Sequence, residues 1–249
     1  MENLLLFNPK FFSYGQEHFL WLLGGACSTI FWIWLGRRQA HEHGQRRIGL
    51  IMSLIPATLW ACLSVYMILN ANPVDLGLVL PFHVCYFINL LIPVLMWKRS
   101  YFLFEIFYFM VMAGCVQALI TPDVQYAFPH FMNVRYFTIH ICLAQSMLYA
   151  IFVFDFRPSW NSLKKSFLWS NIYFAFIIVV NAILDTNFMY LRRKPNAATL
   201  LDLFGDWPWY IIGAEFLALA LFTLVMLPFA LPQWLAARSA KSEQTFQQS

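Results

Sequence analysis

Charge is what this chain has least of. Only 11% of its 249 residues are Asp, Glu, Lys or Arg, against about 25% in soluble proteins. With so little charge and only short polar loops, no separate soluble domain fits. The sequence also lacks a zinc-finger spacing, a metal or nucleotide motif and a G-x-S-x-G serine elbow. Those absences predict no metal, no cofactor and no nucleic-acid partner. The N-terminus has no basic n-region and no A-x-A cleavage site, so no removable signal peptide is expected. No internal repeat is visible, which argues against a simple duplicated transporter.

Apolar residues are abundant instead. They make up 61% of the chain, and its mean hydropathy is +0.62. A helix needs about 20 mostly apolar residues to cross a bilayer. Seven segments meet that length, at 17–36, 48–69, 76–97, 102–121, 134–154, 166–185 and 208–230. The predicted fold is all-α: a seven-helix transmembrane bundle over residues 1–235, followed by a flexible cytoplasmic tail over 236–249.

Basic residues set the expected orientation. Arg37, Arg38, Arg46, Arg47, Lys98, Arg99, Arg157, Lys164, Lys165, Arg238 and Lys241 fall on one side, eleven of the 16 in the chain. The positive-inside rule makes that side cytoplasmic, with the N-terminus outside and the protein multi-pass in the plasma or inner membrane. The run Arg192-Arg193-Lys194 opposes this signal. It is either a solvated loop or a binding place for an anion such as a lipid phosphate.

Polar groups inside the apolar spans are the functional candidates. Span three holds Leu80-Pro-Phe-His83-Val-Cys85 and then Asn89, and span five holds His140. At about 1.5 Å of rise per residue, Cys85 lies roughly 14 Å and His140 roughly 9 Å from the outer ends of their spans. Gln117, Asn181 and Asp185 lie at the outer ends of spans four and six, and Glu17, His18 and Glu215 add to the same half. An outward-facing polar pocket accounts for this distribution. On a regular helix His83 and Cys85 point to nearly opposite faces, so His83 is a poor base for Cys85 unless Pro81 distorts the turn. A base would come from another helix, and His140 has the compatible depth. Intramembrane His and Cys also serve helix–helix hydrogen bonding and packing, and the residues alone leave both uses open.

Several segments match a known family in order: Leu80-Pro-Phe-His83-Val-Cys85, Gln117-Ala-Leu-Ile-Thr-Pro-Asp123, Phe128-Pro-His130-Phe, the His140 helix, Asn187-Phe-Met-Tyr190-Leu and Asp206-Trp-Pro-Trp-Tyr210. From span three to span seven the chain resembles bacterial YwaF-type integral membrane proteins, related to eukaryotic transmembrane protein 164. The resemblance implies phospholipid acyl transfer with a cysteine and a histidine, roles that fall on Cys85 and His140. Asn89, Gln117 or Asn181 would then support an oxyanion, and Asn181 and Asp185 would alternatively orient the histidine. Arg192, Arg193 and Lys194 would hold a headgroup, and membrane phospholipid would be the partner. With water as acceptor the same site would be a lipid hydrolase. A non-enzymatic transporter or sensor is the other class left open, and the oligomeric state is not legible.

Overall fold

The computed structural model describes residues 10–194 and 200–247, with side chains described for 10–194 and 202–231. Among the described residues all extended regular structure is helical, and only an isolated bridge joins Lys10 to Tyr126. The helices are α1 (Gln16–Arg37), α2 (Glu42–Asn70), α3 (Leu76–Val79), α4 (Val84–Lys98), α5 (Tyr101–Phe109), α6 (Val116–Ile120), α7 (Phe131–Phe152), α8 (Trp160–Leu184) and α9 (Trp209–Gln247). A π-helical segment, Met110–Cys115, joins α5 to α6, and short 3₁₀ turns cover Phe188–Tyr190 and Leu200–Phe204. The expected tail at 236 begins inside α9, and its side chains lie outside those described.

Six helical segments are long and apolar enough to cross a membrane. They fall on six of the seven sequence segments. The expected fifth span does form a helix, α7, but it is not among the six. The reason is its place in the bundle. It packs against α1, α2, α4 and the π-helical segment, and it buries Asn133, Arg135, His140, Gln145 and Ser146. A helix surrounded by protein rather than lipid can carry such polar groups, which lower its overall apolarity. The structure therefore supports a multi-pass all-helical protein with six membrane-length apolar segments.

The expected third span is not one continuous helix. α3 ends at Val79 and α4 starts at Val84, with Leu80-Pro81-Phe82-His83 between them. Pro81 lacks an N–H and drives its predecessor out of helical geometry. Leu80 accordingly sits at φ −86, ψ 144. The fourth span is distorted differently, by the π-helical stretch, a feature that often accompanies functional sites.

Close approach holds the bundle at one end. A Cβ on Gly36 would lie 2.5 Å from the Tyr149 hydroxyl, and Gly49 also faces Tyr149. Tyr149 meanwhile donates to the Gln45 carbonyl at 2.7 Å, tying α7 to α2. At the same end Arg99 pairs with Glu42, and Arg37 donates to the Phe152 carbonyl at 2.9 Å. Buried Glu105 pairs with Lys165 at 2.6 Å and accepts from Ser162 at 2.8 Å. These contacts gather the loops carrying most of the basic residues onto one face of the bundle.

The opposite end is built from long loops. Glu17 accepts from the Phe128 N–H and from Asn133 Nδ2, both at 2.9 Å. His18 accepts from the Tyr14 N–H at 3.0 Å and meets the Leu119 carbonyl at 2.7 Å. Both polar residues that open α1 are therefore occupied in anchoring the loop before α7. They form no part of an open pocket.

Candidate functional site at the head of α4

Cys85 is the second residue of α4, and His83 is its N-cap. The first intrahelical hydrogen bond at this end runs from the Phe87 N–H to the His83 carbonyl, at 3.0 Å. The N–H groups of Val84, Cys85 and Tyr86 thus lie outside the ladder, as the first donors of any helix do. That of Val84 donates to Met189 Sδ at 3.1 Å. Those of Cys85 and Tyr86 remain at the site. A helix N-terminus carries partial positive charge and favours an anion or a thiolate.

The loop after α8 holds this helix start in place. Asn181 is fully buried. It accepts from the Phe188 N–H at 2.7 Å and the Thr186 hydroxyl at 3.0 Å, and it donates to the Phe188 carbonyl at 3.0 Å. Phe188 and Tyr190 then flank the His83 ring at 5.4 and 6.2 Å between centroids. Tyr173 donates to the Phe82 carbonyl at 2.9 Å. Asn181 is thus a positioning residue for the broken helix, its three side-chain hydrogen bonds all made to Thr186 and Phe188. Replacing it with alanine should leave two buried Phe188 backbone groups unpaired, at about 1–3 kcal/mol each. Thermal unfolding of Asn181→Ala should show a clear loss of stability. An unchanged midpoint would contradict the positioning role.

α7 supplies the second wall. Arg135 is 1% exposed. Its guanidinium donates to the Tyr86 hydroxyl and lies 4.6 Å from the Tyr86 ring centroid. It is close enough to act electrostatically on His83, Cys85 and Tyr86. Arg135 Nη1 has no hydrogen-bond partner, and Arg135 forms no ion pair among the described residues. Next to it in sequence, Tyr136 donates to the Ala118 carbonyl at 2.9 Å and stands 4.4 Å from the His140 ring.

His140 is buried, and its Nδ1 lies 2.8 Å from the Tyr136 carbonyl. A carbonyl only accepts, so Nδ1 carries the proton and Nε2 keeps the lone pair. That is the tautomer a general base needs. No hydrogen bond joins His140 to Cys85 among the described residues. Tyr136 is beside His140 and within electrostatic reach of Cys85.

Two apolar cavities meet at the same place. One of 160 Å³ reaches the π-helical segment through Ala113 and Gly114. The other, of 490 Å³, runs between α4, α5 and α8 past Phe87, Phe107 and Trp169. Val84, Met110 and Tyr173 line both. Val84 is next to Cys85 in sequence, and the lining is almost wholly apolar.

The other candidates are arranged differently. Asn89 is buried and donates to the Pro56 carbonyl at 3.2 Å, while its Oδ1 has no partner. Gln117 is exposed. Arg192 bonds Asp185 at 2.7 Å, and this guanidinium holds the exposed Asp185 carboxyl below the usual carboxylate range. Lys194 donates to the Gly205 carbonyl at 3.0 Å and pairs with Asp202 at 3.4 Å. Arg193 donates its backbone N–H to Asn187. In the sequence Arg135 sits one residue inside the expected start of span five and reads as a flanking charge.

Residues 11–226 match the family model described as the TMEM164 family, and the chain belongs to that family. No match was found among the curated proteins or among the solved structures.

Proposed function

We propose that this member of the family is a membrane-embedded acyltransferase that carries a fatty acyl group from a phospholipid ester to an acceptor hydroxyl through a thioester on Cys85. The broken third span carries this reading. It sets a cysteine at the start of a helix, within electrostatic reach of a buried arginine and next in sequence to Val84, which lines an apolar cavity.

The reaction divides into two steps. Cys85 Sγ attacks the ester carbonyl carbon, and its proton passes to His140 Nε2. The tetrahedral oxyanion accepts from N–H groups at the head of α4, and one such donor is worth about 3 kcal/mol. The carbon–oxygen bond then breaks, and His140 returns the proton to the departing lysophospholipid oxygen. In the second step the acceptor hydroxyl loses its proton to His140 and attacks the thioester. The sulfur–carbon bond breaks, and the proton goes back to Cys85. If water replaced the acceptor, the same steps would make the protein a lipid hydrolase.

The finer topology belongs to the proposal. α7 completes a seven-helix bundle, with the N-terminus outside and the C-terminus cytoplasmic in the plasma or inner membrane. A C-terminal tag should resist an impermeant reagent on intact cells. Labelling of that tag would reverse the orientation and turn the site toward the cytoplasm.

Purified protein with an acyl-labelled phospholipid and a lysophospholipid acceptor tests the activity. Label should move to the acceptor and should not move with Cys85→Ser. Label appearing only as free fatty acid, with acceptor in excess, would make the hydrolase the better description. No turnover by the wild type with any phospholipid would remove the enzymatic reading.

A further inference from the structure

Two buried side-chain donors beside the head of α4 have no acceptor among the described residues. Arg135 Nη1 is buried without a partner. Trp60 Nε1 is likewise buried and unpartnered, and its ring lies 6.2 Å from that of Tyr86. Arginine and the indole N–H can only donate. Tyr86 accepts from the other terminal nitrogen of Arg135. The N–H groups of Cys85 and Tyr86, outside the helical ladder, are directed at the Cys85 sulfur. No carboxylate balances the guanidinium among the described residues. A buried charge is retained in an apolar protein only where something pairs with it.

We infer that Arg135 and the head of α4 form a binding site for the phosphodiester of a phospholipid whose apolar chain occupies the cavity at Val84. The planar guanidinium matches two phosphate oxygens, and one of its two terminal nitrogens is already fixed on Tyr86. The adjoining cavities supply the apolar half of the ligand's surroundings. Of the three basic loop residues that the sequence favours, Arg192, Arg193 and Lys194, the first and last are paired with carboxylates. The choice of phosphodiester over other anionic groups rests on the acyl-transfer reading. The existence of an anion site rests on the unpaired donors alone.

The test uses ligands that cannot be transferred. A short-chain diether phospholipid, the matching dialkylglycerol, a fatty acid of equal chain length and inorganic phosphate are each titrated into the full chain in neutral detergent, and thermal unfolding is followed. The diether phospholipid should raise the midpoint, and the dialkylglycerol should not. Arg135→Gln should weaken phospholipid binding at least tenfold, and Arg135→Lys should recover only part, since it keeps the charge and loses the fork. Equal stabilisation by dialkylglycerol would overturn the inference. So would tighter, Arg135-dependent binding of the fatty acid, or binding of inorganic phosphate as tight as that of the lipid. If Arg135→Gln does not fold, the wild-type ligand series still decides. Because an ether cannot acylate Cys85, diether binding tests this site alone; such binding together with no acylation of Cys85 by an ester phospholipid would leave this site standing and remove the acyl-transfer reading. The converse result would do the reverse.

Discussion

If the proposed thioester route holds, Cys85→Ser should lower lipid acyl transfer by about three orders of magnitude or more, the scale on which loss of a nucleophile is felt. The substitution is nearly isosteric, so folding should survive it and the comparison is a chemical one. A thiolate forms far more readily than an alkoxide, and it attacks an ester in the absence of a strongly activating elbow. The sequence offers no G-x-S-x-G turn to prepare a serine for the same role. Thermal unfolding of the variant, compared with wild type, checks that the fold persists. A folded Cys85→Ser protein that keeps wild-type turnover would show that Cys85 is not the attacking group.

The next largest effect is expected at His140. His140→Ala should slow acyl loading by about 10²–10⁴-fold, the usual worth of general base catalysis. The tautomer supports this role, because the Tyr136 carbonyl fixes the proton on Nδ1. The missing direct bond to Cys85 is no objection in an unliganded arrangement, since such bonds often tighten only with substrate. Loading should recover in part as pH rises and hydroxide or the thiolate itself replaces the base. If the variant loads at the wild-type rate at neutral pH, the proton leaves Cys85 by another route. Tyr136, beside the histidine and within reach of the cysteine, is then the group to change next.

Six membrane-length segments were legible in the sequence because each is a long run of apolar residues with few charges. α7 was placed correctly as a helix from the same runs of apolar residues. Its membrane-length apolarity was diluted by Asn133, Arg135, His140 and Gln145, all turned inward. The break at Pro81 was legible only as a possibility. Proline alone does not say whether a helix kinks or restarts, and the restart here depends on Met189, Tyr173 and Phe188 from distant loops. Those contacts have no sequence signature. Asn181 shows the same limit. Its position near the end of an apolar helix looked like a site residue, and its three hydrogen bonds are structural. Arg135 was the reverse case, read as loop charge and found buried.

Acylation of Cys85 itself is the most direct measurement. The purified protein is incubated with a labelled phospholipid and no acceptor, quenched, and digested for mass analysis. One acyl chain should be found on the peptide containing Cys85, and neutral hydroxylamine should release it, as it does thioesters. Protein that turns over the lipid while Cys85 stays unmodified, or carries a hydroxylamine-resistant acyl group elsewhere, would contradict the account.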